Sequence, residues 1–238
     1  ALVHETMISP GDHVISICPT YQQHYSIPES FGAKLDILWL RPENDFLPDL
    51  EELESMLRPN TKLVVLNNPN NPTGALLMGP NLEEFVAVVR SSGAYILCDE
   101  VYRGTNQVGN GFAPAMADIY EKGISVSSMS KVFSLAGIRL GWIAAPREVL
   151  EAVSIRRDYN TISVGMIDDY FASLALENKE KIIGRSQKIT RGNLKILDDW
   201  VLKEQSISYK KPQAGTTALL KYDFDISSRE FCIQLLRE

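Results

Sequence analysis

Three short runs of branched and aliphatic residues, Leu63-Val64-Val65-Leu66, Ala94-Tyr95-Ile96-Leu97-Cys98 and Ile124 to Ser127, are each cut off by a cluster of polar side chains. No other feature narrows the possible folds so far. After the first run comes Asn67-Asn68-Pro69-Asn70-Asn71-Pro72-Thr73-Gly74. Its prolines fix φ and cannot donate to a ladder, so the strand ends in a rigid turn with amide side chains free to donate. The second run ends in Asp99-Glu100-Val101-Tyr102 and the third in Ser128-Met129-Ser130-Lys131. Taken singly, each has a bland reading: a strand-to-helix turn, a helix N-cap, a solvated loop. Taken together, three consecutive strands end in Asn, in Asp plus Tyr, and in Lys, and the carboxyl ends of strands are where open α/β sheets bind ligands.

The remaining pattern extends the alternation. Val14 to Ile17, Lys34 to Leu38 and Leu140 to Ala144 read as further strands; Gln22 to Phe31, Leu50 to Leu57 with Asp49 as cap, Leu82 to Val89 and Arg147 to Arg156 read as helices. Such alternation predicts an α/β fold, a mostly parallel twisted sheet covered by helices on both faces in three layers. Beyond about residue 160 the character changes. Asp168 to Leu176 and Glu180 to Val201 have helical periodicity, Ile207 to Lys210 and Thr217 to Tyr222 read as a strand pair, and Ser227 to Leu236 as a capped helix. The expected division is a large domain over residues 1–178, then a linking helix and part of a small α+β domain over 179–238.

Chemistry enters at Lys131. A lysine amine can hold an aldehyde cofactor as a Schiff base. Hydroxyls at Ser128 and Ser130 and the guanidinium of Arg139, eight residues beyond the lysine, would neutralise a phosphate dianion. An aldehyde with a phosphate points to pyridoxal phosphate.

These motifs, N-N-P-x-N-P-T-G, D-E-x-Y and S-x-S-K with Arg139 following, resemble those of the class I/II aminotransferases, the fold-type-I family of pyridoxal-phosphate enzymes. The resemblance implies that Lys131 is the Schiff-base lysine and Asp99 the partner of the pyridine nitrogen. It also implies that Tyr102 and Asn71 bond the ring oxygen, and that Ser128, Ser130 and Arg139 hold the phosphate. Tyr21, in Cys18-Pro19-Thr20-Tyr21, matches the aromatic that stacks on the ring, its other reading being a core aromatic at a helix start. One antiparallel strand in the sheet, a homodimer, and amino acid and 2-oxo acid substrates are implied as well. The implied reaction is transfer of an amino group between these substrates. Because the outcome depends on which substrate bond is broken, a lyase or cyclase on the same scaffold is the alternative, and a non-catalytic or inactive fragment is another.

By the same resemblance, the chain is expected to lack the family's amino-terminal segment and the end of its small domain. Arg229 and Arg237 do not have the surroundings of the family's carboxylate-binding arginine, and substrate side-chain preference is not legible. Composition excludes other classes. A net charge of −6 with no long basic cluster argues against a nucleic-acid partner, and there is neither an 18-residue apolar stretch nor a signal-like start, so a cytoplasmic protein without membrane contact is expected. Cys18, Cys98 and Cys232 have no paired spacing and read as reduced core thiols. His4, His13 and His24 lack metal-ligand spacing and are assigned no chemistry, so no metal is expected.

Overall fold

Six strands make the central sheet of the computed structural model, which describes residues 1–109 and 112–238. They are β1 (His13–Cys18), β2 (Lys34–Trp39), β3 (Thr61–Asn67), β4 (Tyr95–Asp99), β5 (Gly123–Ser128) and β6 (Gly141–Ala144). Their spatial order is β2-β1-β3-β4-β5-β6, with every neighbouring pair parallel except β5 and β6. The lone antiparallel strand follows the lysine loop, residues 129–140, which holds a single 3-10 turn and no crossover helix of the kind that joins parallel strands.

Alternation along the strands divides the core in two. Val64 and Leu66 join Ile15, Leu38 and Ile96 on one face, whereas Leu63 and Val65 join Val14, Leu97 and Ile124 on the other. The first face is covered by α3 (Leu50–Met56) and α4 (Pro80–Ser92), through Leu53, Phe85 and Val89. Against the second pack α1 (Leu2–Met7) and α6 (Arg147–Asp158), through Val3, Val149 and Val153. Each large apolar side chain so buried contributes about 1.5–3 kcal/mol. The three-layer α/β/α architecture expected from the sequence is therefore present. Helix α2 (Gln23–Ser30) connects β1 to β2, and the short α5 (Met116–Ile119) precedes β5.

Local signals explain the element ends. Asp49 accepts a hydrogen bond from Glu52 N at the start of α3, and Gly93, at φ +73°, terminates α4 in the left-handed region that glycine tolerates. Further along, α7 (Met166–Glu177) and the 23-residue α8 (Lys179–Val201) meet at Asn178, and Ser227 caps α9 (Ser228–Leu235) by accepting from Glu230 N. The second sheet is smaller than expected: β7 (Ile207–Tyr209) pairs with β8 (Leu220–Tyr222), and the anticipated strand start at Thr217 is lost. The preceding residues 212–215 are drawn instead into contacts with the large sheet's loops. The short α1 and α5 were not anticipated, since neither is long enough to show a helical period. Cys18 and Cys98 are buried as expected, whereas Cys232 is exposed on α9.

A buried carboxyl fastens α5 to the sheet. Glu100 Oε1 accepts from Met116 N at 2.7 Å and from Ser125 Oγ at 2.6 Å. Burial pushes this carboxyl above its ordinary value of 4.5, against the lowering effect of the Ser125 and Met116 bonds. A carboxyl with a raised folded-state pKa gives its full contribution below the unfolded value and loses it as pH rises through the folded one. Glu100→Gln, which keeps an uncharged acceptor, is expected to gain stability relative to wild type as pH rises from about 4.5 toward neutrality. Urea midpoints across that range test this; a difference independent of pH would contradict it.

Candidate functional site

The parallel register brings the polar clusters together. Asn67 pairs with Asp99 at the ends of β3 and β4, Asp99 with Val126 on β5, and Ser128 with Gly141 where β5 meets β6. The carbonyl of Asp99 accepts twice, from Asn68 N at 3.0 Å and from Asn67 Nδ2 at 2.9 Å. Asn67 Oδ1 in turn accepts from Asn71 N at 2.7 Å, so one side chain spans from the β4 terminus to the proline turn.

Other asparagines of the turn also have structural employment. Asn68 exchanges two bonds with the Leu77 main chain, at 2.8 and 2.9 Å. Asn70 Nδ2 donates to Pro19 O at 3.1 Å, tying the turn to the loop that carries Tyr21, and Asn70 Oδ1 accepts from Thr73 Oγ1 at 2.7 Å. Among the described residues, the Asn71 side-chain amide alone of the four makes no hydrogen bond. The motif thus uses three amides to hold its shape and presents the fourth.

Asp99 is gripped at both oxygens. Oδ1 accepts from Val101 N and Oδ2 lies 3.1 Å from His24 Nε2. The sequence reading gave His24 no chemistry, and here it is corrected: His24 is buried in direct contact with the carboxylate. Its spacing of three from Tyr21, around the start of a helix, was the available signal. The two rings meet edge to face with centroids 6.3 Å apart, and Tyr21 is 52% exposed, so the core-aromatic reading of Tyr21 fails. Tyr21, His24, Asp99, Ser127 and Trp142 line a cavity of about 610 Å³. His24 Nδ1 is buried without a hydrogen-bond partner among the described residues.

Lys131 is exposed, with Nζ 5.8 Å from the ring centroid of buried Tyr102. Ser128 and Ser130 share one turn, Ser130 N donating to Ser128 Oγ at 3.3 Å. Arg139 lies in the left-handed region at φ +51°, and its Nη1 donates to Ala136 O at 2.6 Å. The structure therefore joins Tyr21, Asn71 and Asp99 through Asn67, Asn70 and His24, and sets Lys131 against Tyr102. It does not join Arg139 to the two serines by a hydrogen bond among the described residues. No cluster of His, Cys, Asp and Glu among them could hold a metal.

Residues 2–236 match the family pattern described as aminotransferase class I and II. The chain belongs to the class I/II aminotransferase family. A PLP-dependent aminotransferase of Streptococcus suis 89-1591 superposes with a TM-score of 0.95 at 46% identity, covering 100% of this chain and 63% of that one. Aromatic-amino-acid aminotransferase 2 of Thermococcus litoralis is 31% identical over 98% of this chain and 61% of its own length. Capreomycidine synthase of Streptomyces vinaceus is 29% identical over 94% of this chain and 58% of its own. The chain thus spans about three-fifths of the length of these relatives.

The contact between His24 and Asp99 is measurable in its own right. A double-mutant cycle with His24→Ala and Asp99→Ala, read by urea unfolding, is expected to give a coupling of about 1–3 kcal/mol. A coupling below about 0.3 kcal/mol would show that the two side chains do not interact.

Proposed function

We propose that the protein holds pyridoxal phosphate at the carboxyl ends of β3, β4 and β5 and transfers an amino group between an amino acid and a 2-oxo acid. One observation carries the reading: among the described residues, Lys131 Nζ, the Tyr102 hydroxyl and the Asn71 amide have no hydrogen-bond or ion-pair partner, Lys131 Nζ lies over the Tyr102 ring, and Asn67 ties the Asn71 turn to Asp99, whose carboxylate is fixed at both oxygens. Polar groups left unengaged are available to a ligand, and this set, with the Asp99 and Tyr21 side chains that line the cavity, fits the cofactor's chemistry. Asp99 would pair with the pyridine nitrogen, with His24 fixing the carboxylate's orientation. Tyr102 and Asn71 would bond the ring oxygen, Tyr21 would stack on the ring, and Ser128, Ser130 and Arg139 would bind the phosphate.

When bound, pyridoxal phosphate supplies an aldehyde that bonds amines and a ring that accepts an electron pair from the substrate. The protein's own part is proton handling and orientation. The Lys131 amine would act as general base and acid, taking the proton from the substrate's α-carbon and delivering it to the cofactor's former aldehyde carbon. Asp99 would maintain the charge that makes the ring an acceptor.

The proposed assembly is a homodimer in the cytoplasm, with α8 linking a large domain, residues 1–178, to a small one, 179–238. Supporting the dimer, Ile155, Tyr159, Ile162, Met166, Ile167 and Tyr170, on α6, α7 and their connection, are all exposed large apolar side chains. None of the described helices is long and apolar enough to cross a membrane.

Two experiments test this. Mixing the cofactor-loaded protein with an amino acid, and no acceptor, is expected to release one equivalent of 2-oxo acid and no ammonia, with Lys131→Ala slower by about 10²–10⁴-fold or more. Continuous ammonia release would instead indicate elimination. In sedimentation, the wild type is expected to run as a dimer and Ile167→Glu with Tyr170→Glu as a monomer; a wild-type monomer would refute the assembly.

A further inference from the structure

Residues Gln213 to Gly215, in the connection between β7 and β8, lie between the loops that follow β3 and β4. Gln213 N and Ala214 N both donate to Gly74 O, at 2.8 and 3.0 Å, and Gly74 N donates to Asn70 O at 2.9 Å. On the opposite side, Gln213 O accepts from Gln107 N at 2.9 Å, and Gly215 N donates to Thr105 Oγ1 at 2.8 Å. The fit is close. Ala214 is fully buried, and a Cβ at Gly74 would come within 2.4 Å of Pro212 Cβ. Thr105, also fully buried, donates its hydroxyl to Tyr102 O at 2.5 Å. A single hydroxyl therefore accepts from Gly215 and donates to Tyr102, using both its capacities. From α8, Gln187 Nε2 donates to Gly104 O at 2.8 Å, and the Arg191 guanidinium donates to Asn106 O, which closes the loop around it.

We propose that Thr105 is a positioning residue: through its hydroxyl, the Gln213–Gly215 segment sets Tyr102 and the Asn71 turn as one unit. The proposal rests on the reading of Tyr102 and Asn71 as the two groups that bond the cofactor's ring oxygen. Tyr102 is carried by the loop after β4 and Asn71 by the turn after β3; Asn67 ties that turn to the β4 terminus at Asp99, but among the described residues no hydrogen bond joins the turn to Tyr102 itself. The segment bonded to both loops, at Gly74 and at Thr105, adds a second constraint beyond Asp99. Thr105 and Ala214 are fully buried, so removing the hydroxyl leaves the Gly215 N–H without an acceptor and leaves Tyr102 O held by Thr105 N alone, which loosens Tyr102. Because the two contacts stabilise an anionic ring oxygen, loosening one raises the pH at which the lysine-bound cofactor deprotonates.

Thr105→Val removes the hydroxyl at nearly constant volume, and Thr105→Ser restores it. In the cofactor-free protein, Thr105→Val is expected to speed amide exchange at Gly215 and across residues 102–107 by about tenfold, with Thr105→Ser near wild type. In the loaded protein, the midpoint of the pH titration of cofactor absorbance should move to higher pH in Thr105→Val and not in Thr105→Ser. If Thr105→Val does not fold, Thr105→Cys, a weaker hydrogen-bonding group, should fall between wild type and the expected valine behaviour in both measurements. Unchanged exchange, a changed exchange with an unmoved midpoint, or a serine variant that behaves like valine would each overturn the positioning role. A wild type that binds no cofactor would overturn the functional reading, and the role with it; faster exchange in Thr105→Val would then identify the hydroxyl as a purely structural clasp.

Discussion

The carbonyl oxygen of Asp99 is the point on which the site depends. Two donors from neighbouring residues of one motif, Asn67 Nδ2 and Asn68 N, meet it at the end of β4. They lock the termini of β3 and β4 at the same height, and Asn67 Oδ1 carries the link onward to Asn71. Parallel strands bring side chains to one edge of a sheet, but they do not by themselves fix the loops beyond it. Here that task falls to side-chain amides, which supply the ordered bonds that the prolines of the turn cannot.

The same economy governs the other functional groups. Each is held by its main chain or by a neighbour: Asp99 at both carboxylate oxygens by Val101 N and His24, the Asn71 turn by Asn67 and Gly74, Tyr102 by Thr105, while the Asn71 amide and the Tyr102 hydroxyl have no partner among the described residues. Orientation is thus established before any ligand arrives, which is how a folded site lowers the entropic cost of reaction. Glu100, adjacent to Asp99, faces the other way and bonds Met116 N and Ser125 Oγ. Two consecutive carboxylates serve opposite ends, one toward the cavity and one toward the packing of α5.

Much of this was legible in the sequence because strand ends announce themselves. Runs such as Leu63 to Leu66 stop at prolines or charges, and parallel pairing then aligns whatever follows, so the mostly parallel sheet and the alignment of the ends of β3, β4 and β5 could be anticipated. The hidden part consists of contacts between segments distant in sequence. His24 was passed over because a histidine without a metal spacing has no local signature; only folding brings it within 3.1 Å of Asp99. Thr105 and Gly215 are likewise small residues whose meaning lies in a partner more than a hundred positions away. Thr217 carried a strand propensity, but Pro212 to Gly215 are claimed by Gly74, and β8 begins at Leu220.

The central claim is that these strand ends form a cofactor site whose covalent anchor is Lys131. It is tested most directly by reducing the cofactor-treated protein with borohydride and locating the modified lysine by peptide mass. The account predicts a single stable adduct at Lys131, absent from Lys131→Ala. Label spread over other lysines of the folded protein, or no adduct, would contradict it.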